Sequence, residues 1–222
     1  MKTALITGSS SGIGQAIALK LKENGYRVIG ISRREVKEYP TIICDLQDTK
    51  TLTKEIKILL KKEKIDIVIN SAGVGVFSPH EEISLEKITE LIDTNLKAPI
   101  LLTNLLLREL KKNKGHIINI SSIEATRNSR FSALYSATKA GLRAFSLSLF
   151  EELRRANVKV TTINPDITKT PFFDNLNFKP SPKEKTHILA SEIADSVLFI
   201  LQTPSVVTEL TIRPQRVEIC KG

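Results

Sequence analysis

Short runs of apolar and β-branched residues recur along the chain at Ala4–Thr7, Arg27–Ile31, Thr41–Cys44, Ile65–Asn70, His116–Ser121, Val158–Ile163 and Leu210–Ile212. Longer segments between them, around Ile13–Lys22, Leu52–Lys62, Leu85–Leu110, Ala133–Arg155 and Ser191–Leu201, place apolar residues at helical intervals. Nearly continuous apolar strands need cover on both faces, and parallel neighbours need a crossover helix. The alternation therefore predicts an α/β fold: a doubly wound, seven-stranded parallel sheet between two helical layers, three layers in all. One such unit accounts for all 222 residues, so 1–222 reads as a single domain. The one long irregular stretch is 166–186, where Pro171, Pro180 and Pro182 oppose a continuous helix. Loops of that length usually carry function, and this one is read as a substrate lid.

Charge and composition remove several functional classes. The net charge of +9 comes from lysines and arginines spread over many segments, among them Lys54, Lys57, Lys61, Lys111, Lys112 and Lys114. With only 5% aromatic residues and no nucleic-acid motif, these charges read as solvated helix faces, and no nucleic-acid partner is expected. No apolar stretch is long enough to span a membrane and the N-terminus runs directly into a strand pattern, so a soluble cytoplasmic protein is expected. Cys44 and Cys220 lie near the ends of apolar runs without metal-ligand spacing and read as small buried residues in a reducing compartment. His80, His116 and His187 are scattered, and no metal site is expected.

Two local patterns carry chemistry. Gly8, Gly12 and Gly14 follow the first strand and open the first helix, where backbone amides can face a pyrophosphate with little steric obstruction. The second strand ends Ser32-Arg33-Arg34, with no acidic residue to recognise a ribose 2′-hydroxyl; the arginines can neutralise a 2′-phosphate instead, although an exposed pair in a loop is the plain alternative for Arg34. Farther along, Tyr135 and Lys139 stand four apart and emerge on one helix face. A fixed cation beside a tyrosine favours its phenolate, which makes the phenol a usable acid and base.

Glycines at 8, 12 and 14 together with Tyr135-Ser136-Ala137-Thr138-Lys139 resemble the classical short-chain dehydrogenase/reductase (SDR) family, and the resemblance spans essentially the whole chain. It implies a Rossmann-like fold and an oxidoreductase that moves a hydride between a nicotinamide cofactor and a carbonyl or alcohol. Ser122, thirteen residues before Tyr135, matches the family's catalytic serine, with the adjacent Ser121 structural unless the register shifts by one. Asn95 in Asp93-Thr94-Asn95-Leu96 matches the helix asparagine, so Asn95, Ser122, Tyr135 and Lys139 form the implied catalytic tetrad. In that assignment Tyr135 protonates the developing alkoxide, Ser122 donates to the same oxygen, Lys139 holds the nicotinamide ribose, and Asn95 positions a relay water.

The cofactor side of the resemblance starts with Ser10, Ser11 and Ile13 in the glycine loop. Arg33 stands where NADP-using members carry a basic residue, so NADP(H) is preferred and NAD(H) possible. Asp45 and Leu46 resemble the strand-end pair near the adenine, with a helix-preceding cap the alternative for Asp45, and Asn70, Ala72 and Gly73 resemble the Asn-Asn-Ala-Gly element with Ser71 replacing one asparagine. After the sixth strand Pro165, Thr168 and Thr170 keep their expected places, but Asp166 replaces the usual glycine. Its carboxylate either favours an amino-bearing or polyhydroxylated substrate or turns outward to bond the loop backbone. Glu124, Phe131, Phe172 and Phe173 either line the pocket or serve ordinary packing. A homodimer or homotetramer is implied, and Leu142, Phe145, Leu149 and Leu153 pack either on a partner or on their own sheet. The competing functions are a catalytically silent NADP-binding sensor, which has no need of an intact tetrad, and a nucleotide-sugar epimerase or dehydratase, for which the chain is short.

Overall fold

The computed structural model describes residues 1–221. The strands are β1 (Thr3–Thr7), β2 (Arg27–Ser32), β3 (Thr41–Ile43), β4 (Ile67–Asn70), β5 (His116–Ile120), β6 (Lys159–Pro165), β7 (Thr168–Lys169), β8 (Phe178–Pro180), β9 (Ile188–Leu189), β10 (Glu209–Ile212) and β11 (Ile219–Lys221). The helices are α1 (Gly12–Glu23), α2 (Thr49–Leu59), α3 (Leu85–Ile92), α4 (Ala98–Asn113), α5 (Ala133–Leu153) and α6 (Ala190–Gln202). Seven strands form one parallel sheet in the order β10-β6-β5-β4-β1-β2-β3, and these are the seven runs read from the sequence. The order reverses between β1 and β4, so the carboxyl ends of those strands open a crevice, the place where doubly wound sheets bind ligands.

Alternation along each strand divides the core in two. Leu5, Val68, Ile117 and Val160 face one layer with Leu52 and Ile56 of α2, Leu102 and Leu106 of α4, and Leu149 and Leu153 of α5. Ala4, Ile6, Ile69, Ile118 and Ile163 face the other, against Ile17 and Leu21 of α1 and Val197 and Ile200 of α6. Each such side chain taken fully from water contributes roughly 1.5–3 kcal/mol, so the two layers are the principal source of stability. Leu149 and Leu153 are buried in the core layer on their own sheet, Phe145 packs on the same layer, and Leu142 is buried as well. The apolar series of α5 is thus consumed inside the chain.

Three features depart from the sequence reading. The stretch expected as one helix over Leu85–Leu110 is α3 and α4 joined by a five-residue π-helical turn, Asp93–Lys97. Segment 166–186 is not wholly irregular: β7 pairs with β9, and β8 pairs antiparallel with β11, Pro180 opposite Ile219 and Phe178 opposite Lys221. These strands are short and partly polar, so no periodicity marks them. Cys220, on β11, is exposed rather than buried; Cys44 is buried, and its burial pushes the thiol pKa up to about 11.

His116 begins β5 inside the core. Thr161 Oγ1 donates its only proton to the Val207 carbonyl at 2.7 Å, so the 2.8 Å contact from His116 Nε2 requires that nitrogen to carry hydrogen. Burial, aided by Lys159 and Lys2, pushes the His116 pKa down to about 3. Below an unfolded value near 6.5 the unfolded chain takes up a proton that the folded chain refuses, so stability falls with pH from about 6.5 towards 3. The expected loss is on the order of 3 kcal/mol by about pH 4. Urea unfolding from pH 7 to 4 measures it, and an unchanged slope in His116→Gln would assign the acid sensitivity elsewhere.

Candidate active site

The glycine loop is shaped by sterics. Gly8 and Gly12 sit at φ +66° and +56°, where side chains are strained. A Cβ on Gly14 would lie 2.8 Å from the Gly8 carbonyl carbon, and one on Gly8 would lie 2.8 Å from Ala72 Cα. Thr7 Oγ1 accepts from the amides of Ser71 and Ala72 at 3.1 Å each, drawing the Asn70–Gly73 turn against the loop; the sequence reading missed this role. Ser11 is the N-cap of α1 yet makes no side-chain capping bond, and the first turn carries no acid. Amides at the start of α1 are therefore left to an external anion. Thr170 packs beside Gly12, and Ser10 and Ile13 are half-buried at the same corner.

Beyond β2, Arg33 and Arg34 are exposed, and among the described residues neither has an ion-pair partner. Asp45 is exposed and its Oδ1 accepts from Gln47 N at 2.9 Å; Asp48, not Asp45, caps α2. The Leu46 side chain is buried in the core layer under α2, which leaves only its backbone to meet a ligand. Asn70 donates to Asn119 at 2.7 Å and Asn119 to Ser146 at 2.8 Å, a buried chain that ties β4 and β5 to α5. Pro165 ends β6, and the Thr168 hydroxyl donates to the Asp166 carbonyl at 2.9 Å.

Tyr135 stands in the first turn of α5 with Lys139 one turn later, its ammonium 5.9 Å from the centre of the tyrosine ring. Lys139 Nζ donates to the Ile120 carbonyl at 2.9 Å, which fixes it at the end of β5. The adjacent serines divide their work: Ser121 donates to the Lys139 carbonyl at 2.9 Å, while Ser122 Oγ accepts from Glu124 N at 3.2 Å and lies by the Tyr135 phenol, whose pKa it draws down. Asn95 lies in the π-helical turn. Its side chain accepts from Val74 N at 2.9 Å and donates to the Val74 carbonyl at 2.8 Å and to Thr138 at 3.2 Å, clamping the loop after β4. A Cβ on Gly73 would sit 3.3 Å from Lys139 Nζ and 3.5 Å from Asn95 Oδ1, so the three positions converge.

Burial pushes Tyr135 up to about 12, against the Ser122 hydrogen bond and aided by the Glu124 charge. Burial also pulls Lys139 down to about 8. Desolvation, not the Lys139 charge, sets the direction of the Tyr135 shift, and at neutral pH the phenol keeps its proton.

Asp166 neither turns outward nor stays open. Its buried carboxylate accepts from Arg213 Nε at 2.9 Å and from the Ile167 amide at 2.9 Å, with Arg127 at 3.7 Å. Glu124 accepts from Arg127 Nε at 2.7 Å and from Ser129 and Ser132 at 3.0 Å each. Phe131 is exposed at φ +64° under the Arg130 guanidinium, whereas the Phe172 ring centre lies 6.0 Å from that of Tyr135. Among the described residues no cluster of His, Cys, Asp and Glu is placed to hold a metal ion, and no helix is long and apolar enough to cross a membrane.

The family model described as short chain dehydrogenase matches residues 2–180. The chain belongs to the short-chain dehydrogenase family. It is an oxidoreductase of that family with the family's single-domain Rossmann-like sheet. An uncharacterized oxidoreductase of Staphylococcus epidermidis is 36% identical, covering 96% of this chain and 97% of the relative. An alcohol dehydrogenase from the archaeon Thermococcus sibiricus, solved with 5-hydroxy-NADP, superimposes with a TM-score of 0.85 at 27% identity over 98% of this chain and 99% of that one. A 4-hydroxyisoleucine dehydrogenase complexed with NADH also gives 0.85, at 23% identity over 96% and 97%, a likeness of fold.

Proposed function

We propose that this short-chain dehydrogenase is an NADP(H)-dependent enzyme that interconverts a small-molecule carbonyl and its alcohol, with Tyr135 as acid and base. The observation that carries the reading is the convergence on one phenol of the Ser122 hydroxyl and, one helical turn away, the Lys139 ammonium. The crevice suits a dinucleotide: glycines whose Cβ atoms would strike backbone, an uncapped start to α1, and two unpaired arginines past β2. Gly8 to Gly14 would hold the pyrophosphate, Arg33 a 2′-phosphate, and Asn70 to Gly73 with Thr168 and Thr170 the flanks. When bound, the nicotinamide supplies the hydride in reduction and accepts it in oxidation.

In reduction Tyr135 donates its phenolic proton to the substrate oxygen, and Ser122 donates a hydrogen bond to the same oxygen as charge grows on it. Lys139 offsets the phenolate charge left behind. Asn95 acts as a positioning residue, holding Val74 and Thr138 around Lys139. Oxidation reverses the proton path. Segment 166–186 serves as the lid. The relatives support an oxidoreductase, and the alcohol dehydrogenase solved with 5-hydroxy-NADP supports the phosphorylated cofactor. A cytoplasmic homodimer or homotetramer completes the reading.

Oxidation of NADPH and NADH against ketones, aldehydes, quinones and sugar carbonyls tests it. Charge-assisted hydrogen bonds contribute about 1.5–3 kcal/mol, so Arg33→Ala should raise the KM for NADPH roughly 10- to 100-fold and leave that for NADH unchanged. Equal effects on both cofactors would remove the 2′-phosphate assignment. Tight cofactor binding without turnover of any carbonyl would favour a sensor.

A further inference from the structure

Five aromatic rings close a circuit at the catalytic tyrosine. Ring centres are 5.1 Å apart for Phe77 and Tyr135, 6.0 Å for Tyr135 and Phe172, 5.2 Å for Phe172 and Phe173, 5.6 Å for Phe173 and Phe178, and 5.1 Å for Phe178 and Phe77. The circuit takes four of the chain's eight phenylalanines and one of its three tyrosines. Around Tyr135 the packing continues with Val74, Val76, Leu91 and Leu134, a cluster separate from the two core layers. The loop after β4 is fitted to it: a Cβ on Gly75 would lie 3.1 Å from Phe172 Cε1 and closer still to its Cζ, so the ring seats on bare backbone.

The acidic groups nearby are already matched. Glu124 is held by Arg127, Ser129 and Ser132, and Asp166 by Arg213, while Lys139 is turned to the Ile120 carbonyl. Apart from Ser122 and the Glu124 charge, what borders the Tyr135 ring is hydrocarbon. A carboxylate, an ammonium or a polyol chain placed there would lose its hydration without gaining a partner.

We propose that the wall formed by Phe77, Phe172 and Phe178 is the subsite for the carbon skeleton of the substrate, and that the substrate is a neutral carbonyl compound bearing an apolar branched or aromatic group. Rings at these distances are packed on one another and present a continuous apolar wall, against which a flat or branched apolar group would lie, with Phe172 and Phe178 carried by segment 166–186. The proposal rests on the reading of Tyr135 as the acid/base group, because it is the reacting oxygen at the phenol that sets the skeleton against the wall.

Two measurements separate the proposal from that reading. In NADPH-dependent reduction, acetone, 2-butanone, 2-pentanone and 4-phenyl-2-butanone are compared with pyruvate, aminoacetone and dihydroxyacetone. The expected kcat/KM rises about fourfold per methylene, with the phenyl ketone at least 100-fold above pyruvate and aminoacetone. Independently of turnover, calorimetric titration of the NADP⁺-loaded protein with benzamide, malonate and glycinamide should show benzamide tightest, weakened about tenfold by Phe172→Ala and largely retained by Phe172→Leu. If no carbonyl is turned over but benzamide behaves this way, the subsite stands and the acid/base reading falls. Preference for the charged or hydroxylated compounds overturns the proposal, as does benzamide binding that is absent or equal in Phe172→Ala.

Discussion

Replacing Tyr135 by phenylalanine lowers kcat by about three orders of magnitude while NADPH affinity changes less than about twofold. General acid–base groups contribute roughly 10²- to 10⁴-fold, and in the proposed function a single phenol is the proton donor with no neighbouring acid to substitute: Glu124 is occupied by Arg127 and two serines, and Ser122 lacks acidity. The ring itself survives the change, so its contacts with Phe77 and Phe172 and the fold of α5 are kept. Single-turnover reduction with thermal unfolding as a control makes the measurement. A variant that retains more than a tenth of the wild-type rate would mean that another group delivers the proton.

Gly14→Ala should strike at cofactor binding as Tyr135→Phe strikes at chemistry. The new methyl would meet the Gly8 carbonyl and stand 3.1 Å from the Thr7 carbonyl oxygen, and these are backbone atoms that no rotamer change can move. Relief requires α1 to shift away from the end of β1, at an overpacking cost of about 1–3 kcal/mol, and the amides at the helix start shift with it. NADPH affinity should fall at least 100-fold by fluorescence titration, with a lowered Tm. Gly25→Ala is the comparison: that glycine has φ +80° but nothing within 4 Å of its Cβ, so only strain of about 1 kcal/mol is added and cofactor binding is untouched. Equal losses of affinity in the two variants would show that stability, not the loop's shape, was being measured.

The sheet was legible because each of its strands carries an apolar run whose alternation matches the two layers it faces, as Leu5 and Ile6 do in β1. The site was legible where local spacing decides it: Gly8 to Gly14 in one turn, Tyr135 and Lys139 on one helix face. What could not be read depends on long-range meeting. Phe77 and Phe178 touch only because the loop after β4 and segment 166–186 fold over the same strand ends. Neither reading of Asp166, towards substrate or outward to the loop backbone, included its ion-pair partner, because Arg213 lies 47 positions away past β10. The strand β11 has no apolar pattern, with every residue exposed, and it forms only because β8 offers it an edge.

The π-helical turn at Asp93–Lys97 also has a rotational meaning. Successive residues on an α-helix are about 100° apart, so one extra residue in the turn sets the azimuth of α3 relative to α4 by that angle. Leu102 and Leu106 are locked into the core on one side of the turn, and Leu91 is fully buried beside Tyr135 on the other. A regular helix through the same residues would satisfy one of these orientations and swing the other towards solvent. The irregularity that presents Asn95 is therefore also what allows one continuous rod to serve two differently aimed apolar surfaces.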